Sequence, residues 1–424
     1  MADRDPAGAP RPHSEGAPRG DLDGAPRGDL ESALRGLVRP GARVALADAC
    51  GAPYALTGPL SRVAAAAGGV RLVLGWVPAP LPGLDPAAFA DVRTVVGGPG
   101  VRAMLDSGAA TAVPCRLSAT PALLTGALRP DLLLATVVRD GDGLRFGAEV
   151  SWMQALVDAG VPVAAVESRS APHATAGPPL PEGAVTVLGV VDGPEGAPAD
   201  IATPPPTADD EAIAGHAAAL VPSGARIQFG PGRLAAALVS ALRVPVRVDS
   251  GLMSDPVVDL DERGLLLDTP TALGLYGTRR LYDWAHGRGV VRRVEYTHDI
   301  SRLSAADPSP LVALNTALEI DADGQVNVEG LSSVHGRPSA NGMIGGHPDF
   351  AAAGARGPGL SVIVLASTHR GRPTLVERLS RAVTTPSHDV DVVVTERGTA
   401  DLRGLGRAER RAALRTLWGH PGVA

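Results

Sequence analysis

The sequence predicts an α/β protein made of two similar open domains with mainly parallel sheets. Three observations carry this. Short runs of Val, Leu and Ala alternate with helix-like stretches from residue 39 onward, and a second such series starts near Arg226. The opening of the first series, Gly41-Ala42-Arg43-Val44-Ala45-Leu46, is echoed by that of the second, Gly224-Ala225-Arg226-Ile227-Gln228-Phe229. The runs at 42–46, 70–74, 132–138 and 161–166 are rich in Val, Leu and Ala and largely apolar, so they read as strands buried on both faces, as in parallel sheets covered by helices.

Taken in order, residues 1–31 are rich in Pro, Gly, Asp and Arg and contain an eight-residue unit twice, at 16–23 and 24–31. Such a stretch lacks apolar surface to bury and reads as a disordered tail. The first domain is expected over 32–195. Residues 196–210, dominated by Ala, Pro, Thr and Asp and containing Pro204-Pro205-Pro206, suit neither helix nor strand interiors and are read as a linker. The second domain is expected over 211–424.

At 424 residues and 45% hydrophobic the chain can bury two sizeable cores. All 39 residues of the Lys/Arg class are arginine, and the net charge is -6 without a basic run, which gives no electrostatic case for nucleic acid or an anionic membrane surface. Neither is expected as a partner. Cys50 and Cys115 form no CxxC pair and read as structural thiols in a reducing cytoplasm. No apolar run approaches the roughly 18 residues needed to span a bilayer, and a cytoplasmic location is expected.

The most conspicuous local motif follows the strand expected at 226–229. Gly230-Pro231-Gly232-Arg233-Leu234-Ala235 matches G-x-G-x-x-A and opens an Ala-rich helix expected to reach about Arg243, and the next strand, 244–248, ends in Asp249. Glycines there let a ligand approach the backbone, and a helix N-terminus favours an anion. The pattern suits a nicotinamide dinucleotide, coenzyme A or a ligand-free tight turn.

From 311 to 421 four blocks occur in order: ALNTALEID at 313–321 running into GQVN at 324–327, NGMIGGHPDF at 341–350, VTT at 383–385 before DVD at 389–391, and VVVTERGTADLRG at 392–404. Together they resemble the C-terminal domain of acetyl-CoA hydrolases and of acetate- and butyrate-type CoA-transferases. Weaker likeness at 117–124, 227–238 and 279–283 extends the resemblance over most of 39–421.

The resemblance implies two α/β domains with an acyl-CoA site between them, coenzyme A as substrate, a small carboxylate or water as acceptor, no metal, and a homodimer. In such enzymes a glutamate carboxylate attacks the acyl thioester and carries CoA as a glutamyl thioester. The matching oxyanion donors are Gly345 and Gly346. Gly230, Pro231, Gly232, Arg233 and Leu234 match the turn that contacts CoA, with Asn341 and Gly346 assigned to the same ligand. Arg370 falls where a lysine often meets a CoA phosphate. Glu396 matches a second glutamate beside the nucleophile, whereas Asn315 and Glu319 match in what read as structural roles.

The chain departs from that pattern at its chemical centre. In Asp249-Ser250-Gly251-Leu252-Met253-Ser254-Asp255 the nucleophilic glutamate is replaced by Gly251, and no Glu occurs between 244 and 261. The site asparagine aligns with His298 and a glutamate of the upstream loop with Ala119. Asp249 would share a strand face with Gly251 about 6.6 Å away and is the candidate substitute carboxylate; Glu396, or His298 activating water, are the others. Three readings stay open: retained thioester chemistry, an acyl-CoA-binding pseudoenzyme, and a dinucleotide-binding protein.

Overall fold

The computed structural model describes residues 30–141, 143–306, 309–332, 338–339 and 344–419. Strands β1 (Arg43–Leu46), β2 (Arg71–Leu74), β3 (Asp91–Thr94), β4 (Thr111–Ala112), β5 (Leu132–Asp140), β6 (Gly143–Phe146), β7 (Val163–Ser168) and β8 (Val185–Val191) form the first sheet. Its order is β4-β3-β2-β1-β5-β7-β8, parallel throughout, with β6 added antiparallel to β5. The second sheet holds β9 (Arg226–Phe229), β10 (Arg247–Val248), β11 (Leu311–Thr316), β12 (Leu360–Val364), β13 (Val392–Thr395) and β14 (Gly398–Asp401) in the order β10-β9-β11-β12-β13-β14. Only β14 runs antiparallel. The predicted fold class is the one observed.

The sequence echo has a structural meaning. β1 and β9 each lie inside their sheet, flanked by β2 and β5 and by β10 and β11 respectively. Each is preceded by a glycine in the left-handed region, Gly41 at φ 72° and Gly224 at φ 79°, which turns the chain into the strand at little steric cost. Each is followed by a helix, Tyr54–Ala67 and Arg233–Ala241.

Helices begin inside two of the segments expected to be irregular. Leu30 and Glu31 belong to the helix Leu30–Arg35, which Leu34 anchors in the core and Glu31 ties to Arg35 and Arg62 at 2.6 Å. The rest of the expected tail lies outside the described residues. The helix Ala208–Ala218 starts inside the expected linker because Thr207 and Asp210 form a reciprocal capping box. The segment before it is not a free tether: Ala199 N–H donates to Cys50 O and Ile201 N–H to Gly277 O.

The two halves share one apolar core, in which Ala45, Leu133 and Trp152 from the first are continuous with Ile227, Leu275 and Leu314 from the second. Backbone hydrogen bonds stitch the seam, Val150 N–H to Leu273 O, Leu275 N–H to Ala148 O and Val294 N–H to Ser151 O, each at 2.9 Å.

A buried ion cluster fixes the end of β10. Asp249, 4% exposed, accepts from Arg302 Nη1 at 2.5 Å and Nη2 at 2.9 Å and from Thr271 Oγ1 at 2.7 Å, with Arg226 Nη1 at 3.5 Å. Arg226 also donates to the carbonyls of Leu303 and Ala305, and Arg302 lies over the Tyr296 ring at 4.1 Å. Removing one partner of such a cluster strands the others in low dielectric. Asp249→Ala is therefore expected to lower unfolding free energy by about 3–5 kcal/mol, read from urea denaturation; a loss below about 1 kcal/mol would contradict this assignment.

Candidate active site

The carboxyl ends of both sheets converge on one cavity of about 300 Å³. From the first sheet come Asp48 and Ala49 after β1 and Trp76 after β2; from the second come Gln228 to Pro231 at the end of β9, Gly251 after β10, and Asn315 in β11. The helix His347–Arg356 presents its N-terminal end through Gly345, Gly346 and His347. A crevice outside the carboxyl ends of parallel strands is where open α/β sheets hold ligands, and the helix start adds unpaired N–H groups and a positive dipole end.

Buried polar atoms without a protein partner collect here. Asp48 Oδ1, Gln228 Oε1, His298 Nε2, Asn315 Nδ2 and His347 Nε2 belong to cavity-lining residues and are five of the eleven such atoms among the described residues. Each is costly unless a ligand or water completes it, and their concentration in one place marks a site shaped for a polar ligand.

His298 occupies the centre. Its ring, 1% exposed, packs edge-on against Phe350 with centroids 4.8 Å apart, and its Nδ1 lies 2.9 Å from Thr297 Oγ1. With the Thr297 hydroxyl directed to Arg293 O at 3.4 Å, we assign the tautomer that carries its hydrogen on Nδ1 and the lone pair on Nε2. Burial pushes the imidazole down to about 3, which keeps it neutral at physiological pH. A Cβ at Gly251 would sit 3.4 Å from both Cε1 and Nε2 of this ring, and one at Gly346 would collide with Nε2. The imidazole thus stands between Gly251 and the Gly345-Gly346 turn.

That turn is held from the first domain. Leu117 N–H donates to Gly345 O at 2.8 Å, and Ser118 donates through its N–H and hydroxyl to Asp349 at 3.0 and 2.6 Å. Ala119 follows in the same loop.

Of the other expected residues, Gly230 and Pro231 line the cavity and, with Leu234, a small adjoining pocket. Gly232 and Arg233 line neither; Gly232, at φ 120°, caps the helix that follows, and Arg233 lies 3.3 Å from Asp210. Asp249 is turned to Arg302 and is absent from the cavity wall, because β10 ends at Val248 and the strand-face register that would align it with Gly251 does not continue. Glu396 also lies off the cavity. Partial burial pushes its carboxyl up, but the N–H and hydroxyl of Ser367 outweigh this and hold it below the usual value. Arg370, exposed at φ 50° in the hairpin between Thr368–His369 and Arg372–Pro373, does not reach it either. Asn341 lies outside the described residues.

The sequence reading missed the first domain's contribution. Asp48, Trp76 and Ser151 line the cavity, and Arg102 stands at its exposed edge. Ala49 and Ser151, at φ 62° and 43°, are two of only three described non-glycine residues in the left-handed region. Each costs about 1–3 kcal/mol and marks a place where the surrounding structure holds the backbone against its preference. The position of Asp48 after a central strand is the one signal available in the sequence. Among the described residues no group of three His, Cys, Asp or Glu side chains is placed to hold a metal ion, and no helix is long and apolar enough to cross a membrane.

Comparison with known proteins places this geometry. Residues 277–423 match the acetyl-CoA hydrolase/transferase C-terminal domain. The chain is 29% identical over 236 residues to 4-hydroxybutyrate coenzyme A transferase of Clostridium kluyveri, covering 51% of this chain and 53% of that protein. It is 28% identical over 251 residues to acetyl-CoA hydrolase of Saccharomyces cerevisiae, covering 51% and 45%. These alignments span about half the length of the curated relatives. The fold is similar to RipA from Yersinia pestis, with TM-score 0.78 and 21% identity over 91% of this chain and 93% of that one. It is also similar to 4-hydroxybutyrate CoA-transferase from Porphyromonas gingivalis, with TM-score 0.71 and 20% identity over 92% of each.

The neutral His298 sets a pH dependence. The unfolded chain binds a proton near the ordinary value of 6.5 while the folded chain resists it to about 3, so the stability that neutral His298 contributes is complete above 6.5 and is lost as pH falls through that window. At about 1.4 kcal/mol per pH unit, the wild type is expected to lose about 2 kcal/mol more than His298→Asn between pH 7 and pH 5, measured by urea unfolding. Parallel curves would show that His298 is not buried in the neutral form.

Proposed function

We infer that this chain, which belongs to the acetyl-CoA hydrolase/transferase family, holds a small acyl-CoA in the cavity between its domains and acts on the thioester. The observation that carries the reading is the convergence of unpartnered buried polar atoms on a crevice bordered by the Gly230-Pro231 turn and the Gly345-Gly346 helix start.

Gly251 offers no carboxylate for a glutamyl thioester, so the chemistry we propose is direct hydrolysis. His298 Nε2 takes a proton from water as the water oxygen bonds to the thioester carbonyl carbon. The carbonyl oxygen becomes an oxyanion facing the N–H groups of the Gly345-Gly346 turn. When the tetrahedral adduct collapses, the C–S bond breaks and the proton passes from His298 to the CoA sulfur, giving a carboxylic acid and free CoA. The space a glutamate side chain would fill is left for the water. The oxyanion beside the ring favours the imidazolium and offsets part of the penalty that burial imposes.

A second reading, acyl-CoA binding without turnover, draws on the same histidine, because an imidazole held near 3 is a weak base. Cytoplasmic location and a homodimer complete the proposed setting, and the unpaired Cys50 and Cys115, with thiols that burial pushes up to about 12 and about 11, suit a reducing compartment.

Calorimetry with CoA, acetyl-CoA and NAD tests the ligand. CoA and acetyl-CoA are expected to bind, and Gly230→Val, at a glycine outside the left-handed region, is expected to weaken both; tight NAD binding without CoA binding would overturn the assignment. Thiol release from acetyl-CoA tests the chemistry, with His298→Asn expected to cut the rate about 100-fold or more. Binding with no thiol release from the wild type would leave only the second reading.

Mass spectrometry after acetyl-CoA and borohydride should detect no adduct at position 251 of the wild type. The double variant Gly251→Glu/His298→Asn, which supplies a carboxylate and withdraws the ring beside it, is expected to form one. A folded, CoA-binding double variant without that adduct would count against aligning Gly251 with the nucleophile.

A further inference from the structure

The first domain places a buried carboxyl in the cavity wall for which the hydrolytic step has no use. Asp48 is 2% exposed. Its Oδ2 accepts from Trp152 Nε1 at 2.8 Å, Ser151 Oγ at 3.3 Å and Trp76 N–H at 3.4 Å, while Oδ1 has no partner. The three donors gather on one oxygen and leave the other without a protein partner, on a residue that lines the cavity.

The surroundings are built to keep the carboxyl there. A Cβ at Gly75 would collide with Asp48, and one at Gly51 would collide with Glu149, the second buried carboxyl of this region. Glu149, 1% exposed, accepts from Gly51 N–H at 3.0 Å. The backbone on either side of the pair, at Ala49 and Ser151, is held in the left-handed region. Among the described residues neither Asp48 nor Glu149 has an arginine or histidine among the groups that act on its charge. Burial, and for Glu149 also the nearby Asp48, pushes both carboxyls up, Asp48 to about 6 and Glu149 well above its ordinary value. With three donors on Asp48 and one on Glu149, the negative charge of the pair is better held on Asp48.

A buried carboxylate with three donors on one oxygen, no protein partner on the other and no counter-ion is an acceptor awaiting a donor. The cavity wall also carries the apolar side chains of Leu117, Leu252 and Leu273, against which an acyl chain ending at Asp48 would lie. We propose that Asp48 determines acyl specificity, accepting a hydrogen bond from a donor group, an ammonium or a hydroxyl, at the far end of the acyl chain. This deepens the acyl-CoA reading and rests on it. An ammonium would also neutralise the charge, whereas a methyl would strand the oxygen and a carboxylate would repel it.

Three acyl groups of equal length separate these cases: butyryl, 3-hydroxypropionyl and 3-aminopropionyl, each on a non-hydrolysable CoA analogue with methylene in place of sulfur. In calorimetry at pH 7.5 the hydroxyl and ammonium forms are expected to bind about 10- to 100-fold more tightly than butyryl, as for a hydrogen bond to a charged group, and the succinyl analogue more weakly than butyryl. The ratio of ammonium to hydroxyl affinity identifies which donor is preferred. In Asp48→Asn the amide oxygen takes over the bonds from Trp152, Ser151 and Trp76, which turns the NH₂ group to the cavity. That variant is expected to lose the preference for donor tails and to gain affinity for succinyl. Butyryl binding as tightly as the donor-tailed forms, or an Asp48→Asn protein that keeps the wild-type order, would overturn the proposal while leaving the acyl-CoA reading intact. If Asp48→Asn does not fold, the wild-type series decides alone. If none of the analogues and no CoA binds, both fall together.

Discussion

The contact between Asp249 and Arg302 governs the geometry of everything around it. Asp249 follows β10 at the edge of the second sheet and Arg302 sits in the helix Ile300–Ser304, so their bidentate contact ties the segment carrying Gly251 to the one carrying His298. Arg302 Nε also donates to Tyr296 O at 2.8 Å, two residues before the histidine. The ring of His298 therefore faces Gly251 and Gly346 because the chain on both sides of it is held by one charge cluster. Burying such a cluster is costly by itself, and here it buys position.

Seen from that cluster, the cavity is a place where packing has been left incomplete on purpose. Close packing elsewhere in the shared core leaves few voids, whereas five buried polar atoms are unpaired around this one. The first domain supplies a carboxylate under backbone strain and the second an imidazole and a helix terminus. Neither half contains a complete site.

How much of this the sequence could reveal depended on the range of the interactions involved. The strands were legible because burial on both faces leaves a local signature, and the echo of 41–46 in 224–229 pointed to two strands that both lie inside their sheets and both end at the cavity. Gly251 and the Gly345-Gly346 turn, singled out by the spacing of whole blocks, both line the cavity. Asp249 was misjudged because alternation along a strand is a local rule, while its true partner lies 53 residues away. Asp48 went unnoticed for the same reason, since a lone aspartate after a strand carries no motif and its donors Ser151 and Trp152 are 103 and 104 residues distant.

The seam between the halves has a consequence for traffic through the cavity. Backbone bonds cross it and the apolar core runs through it without interruption, so swinging the domains apart would expose oily surface from both at once. A hinge needs a joint that wets cheaply, and this one does not. Traffic is left to the rim of the cavity, where Pro99 and Arg102 are exposed. The same continuity makes the two sheets a single cooperative unit, in which a severed half would display its side of the joint to water and lose the partner that shapes its strand ends.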